Sequence, residues 1–78
     1  MNRTLLGERL KIARIRQGMS QMDLVVALEE QGISLSQSAI GKLERGERNL
    51  YVHQLVALVR VLNVSLDWVV YGGDLPVR

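Results

Sequence analysis

Apolar residues recur along this chain at helical spacing, in short segments broken by glycine or by a capping serine. Leu6, Leu10 and Ala13 form one stripe, and Gly18 follows it, which predicts a first helix over about Leu5 to Gln17. Ser20 is a good N-cap and Asp23 suits a first turn, so a second helix is expected over Gln21 to about Gln31, with Leu24, Val25 and Leu28 inward and Gly32 as its stop. Ser36 caps a third helix, about Gln37 to Arg45, that buries Ile40 and Leu43 and ends at Gly46. Residues 47–50 read as a connector. Leu55, Leu58, Val59 and Leu62 then predict a fourth helix over about Tyr51 to Leu62. Its four valines would suit a strand, but the unbroken helical spacing and the absence of turn residues decide for helix. Ser65 caps a short fifth helix, Leu66 to Tyr71, stopped by Gly72 and Gly73. Leu66, Val69 and Val70 are expected to dock it, leaving Trp68 and Tyr71 partly free. The predicted fold is all-α, five short helices packed as a compact globule, and the prediction treats residues 1–78 as one domain with a helix-turn-helix over about 20–45.

Composition narrows the chemistry. The 78 residues are 47% apolar and 23% charged, a globular balance, and they contain no Cys and one His, His53. Neither a disulfide nor a thiolate metal site is available, and His53 lacks a partner for catalysis or metal binding. No cofactor is expected, and an enzymatic function finds no support. No apolar run reaches the ~18 residues of a membrane helix, and the first residues lack a signal-peptide core. A cytoplasmic protein is expected.

The net charge of +2 is small, but its distribution is uneven. Arg3, Arg9, Lys11, Arg14 and Arg16 stand against Glu8 near the start, and Lys42, Arg45 and Arg48 against Glu44 and Glu47 around the third helix. Brought together, these cations would present a basic face to a polyanion. With Ile40 and Leu43 inward, the third helix offers Gln37, Ser38, Gly41, Lys42 and Arg45 on its other face. Amide, hydroxyl and ammonium groups suit the major groove: Gln can bond adenine bidentately, Lys reaches guanine O6 and N7, and Ser serves either.

Gly18-Met19-Ser20-Gln21, Leu24, the run Ser36 to Gly46 and the tail Asn63 to Gly72 together resemble the lambda-repressor-like, Cro/Xre family of helix-turn-helix DNA-binding proteins, across roughly residues 6–73. One segment departs from the family: Glu29 to Ser34 makes the turn before the third helix longer than the usual short one. The resemblance implies that Gln37, Ser38 and Lys42 read base edges. It implies that Gln21, Arg45, Arg48 and Asn49 contact phosphate, and that Arg14 and Glu44 form a structural ion pair. It also implies a homodimer on a pseudo-palindromic duplex operator, and aromatics left free beside aliphatics on the fifth helix are expected to put Trp68, Val69 and Tyr71 at its interface. The expected function is transcriptional control, regulated through concentration or a partner protein. The alternative is a protein-interaction module or antitoxin-like partner that keeps the fold; Leu5, Ile12, Val56 and Val61, off the main stripes, favour it modestly.

Overall fold

The computed structural model describes residues 2–73. Five helices occupy them: α1 Arg3–Arg16, α2 Gln21–Glu30, α3 Gln37–Glu44, α4 Val52–Leu62 and α5 Leu66–Tyr71, with no strand among the described residues. The helix starts follow from local side-chain chemistry. The hydroxyls of Ser20, Ser36 and Ser65 each accept from the amide three residues on. Asp23 returns the favour, accepting the Ser20 amide at 2.8 Å, so α2 opens with a full capping box. α1 starts two residues before the expected Leu5 because the Asn2 side chain accepts the amides of Thr4 and Leu5. At α4 the cap is Tyr51, whose amide donates to the Gln54 side chain at 3.1 Å, and Gln54 is buried in doing so.

The long turn between α2 and α3 is anchored. α2 ends at Glu30, and the amides of Gly32 and Ile33 fold back onto the carbonyls of Glu29 and Leu28. Gly32 sits at φ +79°, the left-handed conformation this closure requires. The chain then crosses to Ser36 with Ile33 packed on the core and Leu35 5% exposed within it. Six residues, 31–36, thus separate α2 from α3, and two apolar side chains pin this wide turn down.

The core unites all five helices. Leu6, Leu10 and Ala13 of α1 meet Leu24, Val25 and Leu28 of α2, Ile40 and Leu43 of α3, and Leu55, Leu58 and Leu62 of α4, all buried as the spacing predicts. Leu35, Ala39 and Ala57 join them without having been expected. Gly7 lets α1 lie directly on the end of α3. A Cβ there would collide with the Leu43 carbonyl and stand 2.7 Å from the Glu44 carbonyl oxygen.

α5 is rotated from its expected pose. Trp68 is 7% exposed and Val69 fully buried, while Leu66 is 44% and Tyr71 81% exposed. The indole N–H donates to the Gly73 carbonyl at 3.2 Å. The reason is area: a helix this short persists only by packing, and an indole removes roughly 150–250 Å² from water, more than a leucine can. Arg9 of α1 fixes the pose by donating to the Val69 and Val70 carbonyls at 3.1 and 3.0 Å. The three residues expected at a dimer interface thus divide: the side chains of Trp68 and Val69 belong to the core, and only Tyr71 is free.

Candidate nucleic-acid interface

α3 is amphipathic over its eight residues. Ala39, Ile40 and Leu43 face the core, while Gln37, Ser38 and Lys42 are exposed on the outer side. Ser36, whose hydroxyl holds the Ala39 amide at 3.0 Å, fixes the first turn and so the directions of Gln37 and Ser38. Gln21, Gln37, Ser38, Gly41 and Arg45 line a shallow depression between the start of α2 and the outer face of α3. Four of the residues expected at the nucleic acid therefore lie together, with Gly41 as the floor.

Beneath that surface runs a hydrogen-bonded chain. Arg14 Nε donates to Glu44 Oε2 at 2.6 Å and Nη2 to Oε1 at 3.1 Å, with side-chain exposures of 10% and 5%. The remaining Nη1 donates to the Met19 carbonyl at 2.8 Å. Gln21 Nε2 donates to Glu44 Oε1 at 3.1 Å, and Gln37 Nε2 reaches Gln21 Oε1 at 3.4 Å. The acid of α3 is thus turned inward and neutralised, and no carboxylate of this helix faces outward. No buried side-chain polar atom among the described residues lacks a partner. The bidentate geometry ties α1 to the end of α3, and Gln21 extends the tie to α2.

Past α3 the chain stays basic. Arg45 Nε pairs with Glu47 Oε2 at 3.1 Å, but both side chains are more than half exposed, so this pair contributes only ~0–1 kcal/mol and yields easily to an anion. Arg48 and Asn49 are exposed on the connector before α4. Asn49 Oδ1 accepts from Arg3 Nη1 at 2.8 Å, a contact that spacing does not reveal. Arg9, Gln54, Gly7 and Gln17, whose amide donates to the Leu62 carbonyl at 3.1 Å, were also unforeseen. Each works across distant sequence or through a backbone contact, where periodicity carries no signal.

A helix-turn-helix family model matches residues 10–69, from the middle of α1 to α5. The chain belongs to the Cro/C1-type helix-turn-helix family. A solved structure similar to it is the restriction-modification controller protein C.AhdI from Aeromonas hydrophila, at 29% identity and a TM-score of 0.69 over 80% of this chain and 86% of that one. No curated protein matches the chain in sequence. Membership gives this helix-turn-helix protein its class, a DNA-binding transcriptional regulator, and its family binds double-stranded DNA and commonly dimerises. In this member no helix among the described residues is long and apolar enough to cross a membrane.

Proposed function

We propose that this protein controls transcription by binding a pseudo-palindromic duplex operator as a homodimer, with α3 in the major groove. The observation that carries the proposal is the sorting of charge on α3. Its single carboxylate, Glu44, is buried against Arg14, while Gln37, Ser38 and Lys42 are exposed on the outer face. A helix entering a groove lined by phosphates and base-edge acceptors needs this arrangement. Gln37 and Ser38 enter first, Lys42 follows a turn later, and Arg45, Arg48 and Asn49 meet the backbone beyond. Gln21, from the start of α2, braces Gln37 and takes a phosphate from the side.

One copy carries one α3, whereas two half-sites lie ~34 Å apart on successive major-groove faces. Two copies are therefore needed to read two half-sites. Leu66 and Tyr71, exposed on α5 and outside the α3 face, replace Trp68 and Val69 as the residues that meet the second copy. The likeness to a restriction-modification controller supports a controller role for this chain as well.

The test is selection of bound sequences from a random duplex library, followed by titration. A selected site should show two-fold symmetry. Gln37→Ala should cost ~1–3 kcal/mol on that site and little on random duplex. Equal losses on both would make Gln37 a backbone contact. Failure of the wild type to bind any duplex at low salt would sink the proposal and favour a protein partner, for which the exposed Leu5, Ile12 and Ile15 of α1 and Met22 and Val26 of α2 offer surface.

A further inference from the structure

From the side chains gathered where α1 begins and α3 ends, we infer that Arg3, Arg48 and Asn49 form a binding site for one backbone phosphate of duplex DNA, beyond the reach of the recognition helix. The inference rests on the proposed duplex binding and adds to it a residue, Arg3, that spacing did not single out. Arg3 is the first residue of α1, yet its guanidinium donates to Asn49 Oδ1 at 2.8 Å across 46 positions of sequence. The backbone brings them together. A Cβ on Gly46 would lie 2.8 Å from Thr4 Cα, and Gly7 lies against the carbonyls of Leu43 and Glu44. The start of α1 is thereby pressed against the end of α3 and the connector that follows.

The chemistry of the cluster is one-sided. Asn49 turns its Oδ1 to Arg3 and keeps its amide N–H pair to donate. Arg48 makes no ion pair among the described residues, and its neighbour Glu47 is engaged with Arg45. The three side chains rim a cavity whose floor includes Leu6, Leu43 and Leu50. The side chains of the floor supply no acceptor and no competing charge, so donors dominate the rim. Two guanidinium groups and an amide, with no carboxylate among them, suit an oxyanion. The place of the site selects which oxyanion. Arg48 and Asn49 follow the end of α3 closely in the chain, Asn49 holds Arg3 beside them, and the proposed docking lays a DNA strand past that end of the helix. The hydrogen bond to Asn49 holds Arg3 in place beforehand, so less side-chain freedom is lost on binding.

Arg3→Gln tests this, because glutamine keeps an amide donor for Asn49 Oδ1 and removes the charge. Each neutralised phosphate contributes about 0.9 to the slope of log K against log salt, and the bound homodimer carries two copies of Arg3, so the variant's slope should be shallower by about two units. At 0.1 M salt this corresponds to about sixtyfold weaker binding by the dimer, equal on the selected operator and on random duplex. The melting temperature should be unchanged. In a second arm, single neutral methylphosphonate substitutions are walked along the operator. One position in each half-site should cost the wild type about eightfold and leave the Arg3→Gln variant indifferent. An unchanged slope in the variant, with normal wild-type binding, overturns the phosphate site. So does a lowered melting temperature with an unchanged slope, which makes Arg3 a structural tie only. Saturable shifts of the Arg3 guanidinium signal with millimolar inorganic phosphate, without any sensitive methylphosphonate position, would assign the site to a free anion and overturn its place on DNA. A wild type that binds no duplex fails at the proposed function itself, before Arg3 is reached.

Discussion

Replacing Glu44 with alanine probes the tie between the helices most directly. The substitution removes both acceptors of the bidentate contact with Arg14, at 2.6 and 3.1 Å, and also the acceptor of the Gln21 amide. Arg14 keeps only the Met19 carbonyl for its charge, with its side chain still 10% exposed. Breaking a buried pair by deleting one partner costs ~3–5 kcal/mol, because a buried charge is left uncompensated. A domain of this length has a total stability of only about 4–12 kcal/mol. At about 4–8 °C per kcal/mol, the melting temperature should fall by about 12–40 °C. Circular dichroism melts and urea titrations of Glu44→Ala measure this. The double variant Arg14→Met, Glu44→Leu is the companion, since apolar side chains of similar volume remove both charges together. It should recover most of the loss. A Glu44→Ala variant that melts within about 4 °C of the wild type would refute the argument, for the pair would then act as a solvated one. A double variant as unstable as the single one would show that mutual neutralisation is not what these positions supply.

Three other outcomes follow from the same geometry. Trp68→Ala should cost ~3–5 kcal/mol and destabilise the fold as a whole, whereas Tyr71→Ser and Leu66→Ser should leave the melt intact and weaken self-association in sedimentation; a folded, stable Trp68→Ala monomer would contradict the burial of the indole. Gly7→Ala should lose ~1–3 kcal/mol by forcing α1 off the carbonyls of α3, despite the helix propensity it gains, and a stabilised variant in urea titration would show that the contact can relax. The Ser20 backbone amide, and then its hydroxyl, hold the Asp23 carboxyl below its ordinary range. Its contribution to stability is therefore present above the unfolded pKa and lost as pH falls through the lower folded one. The melting-temperature gap between wild type and Asp23→Asn should be widest above the ordinary carboxylate range and close toward strongly acidic pH; a gap that stays constant with pH would remove the charge from the cap.

The elements of this protein were legible in its sequence because what makes them acts over four residues or fewer. Ser20, Ser36 and Ser65 start their helices by bonding an amide three positions on, and Gly32 ends α2 by a local reversal of the backbone. The inward stripes of α1 to α3 follow from a fixed period, so the outer face of α3, with Gln37, Ser38 and Lys42, was already settled by Ile40 and Leu43. The pairing of Arg14 with Glu44 was expected from family resemblance alone, since neither residue's own helix announces it.

Only the tertiary structure decided the pose of α5. Its six residues allow more than one face to turn inward, and the choice of Trp68 and Val69 over Leu66 depends on the cavity left by α1 and α4 and on Arg9 reaching the Val69 and Val70 carbonyls. Gly7 was likewise silent until α3 lay against it, because a missing Cβ has meaning only where another backbone approaches. Arg3 and Asn49 meet across most of the chain, and a hydrogen bond between side chains so far apart depends on every packing angle between them. Periodicity fixes which side of a helix is apolar; the rotation of a short helix and the meeting of distant polar groups are set by the shape of everything else.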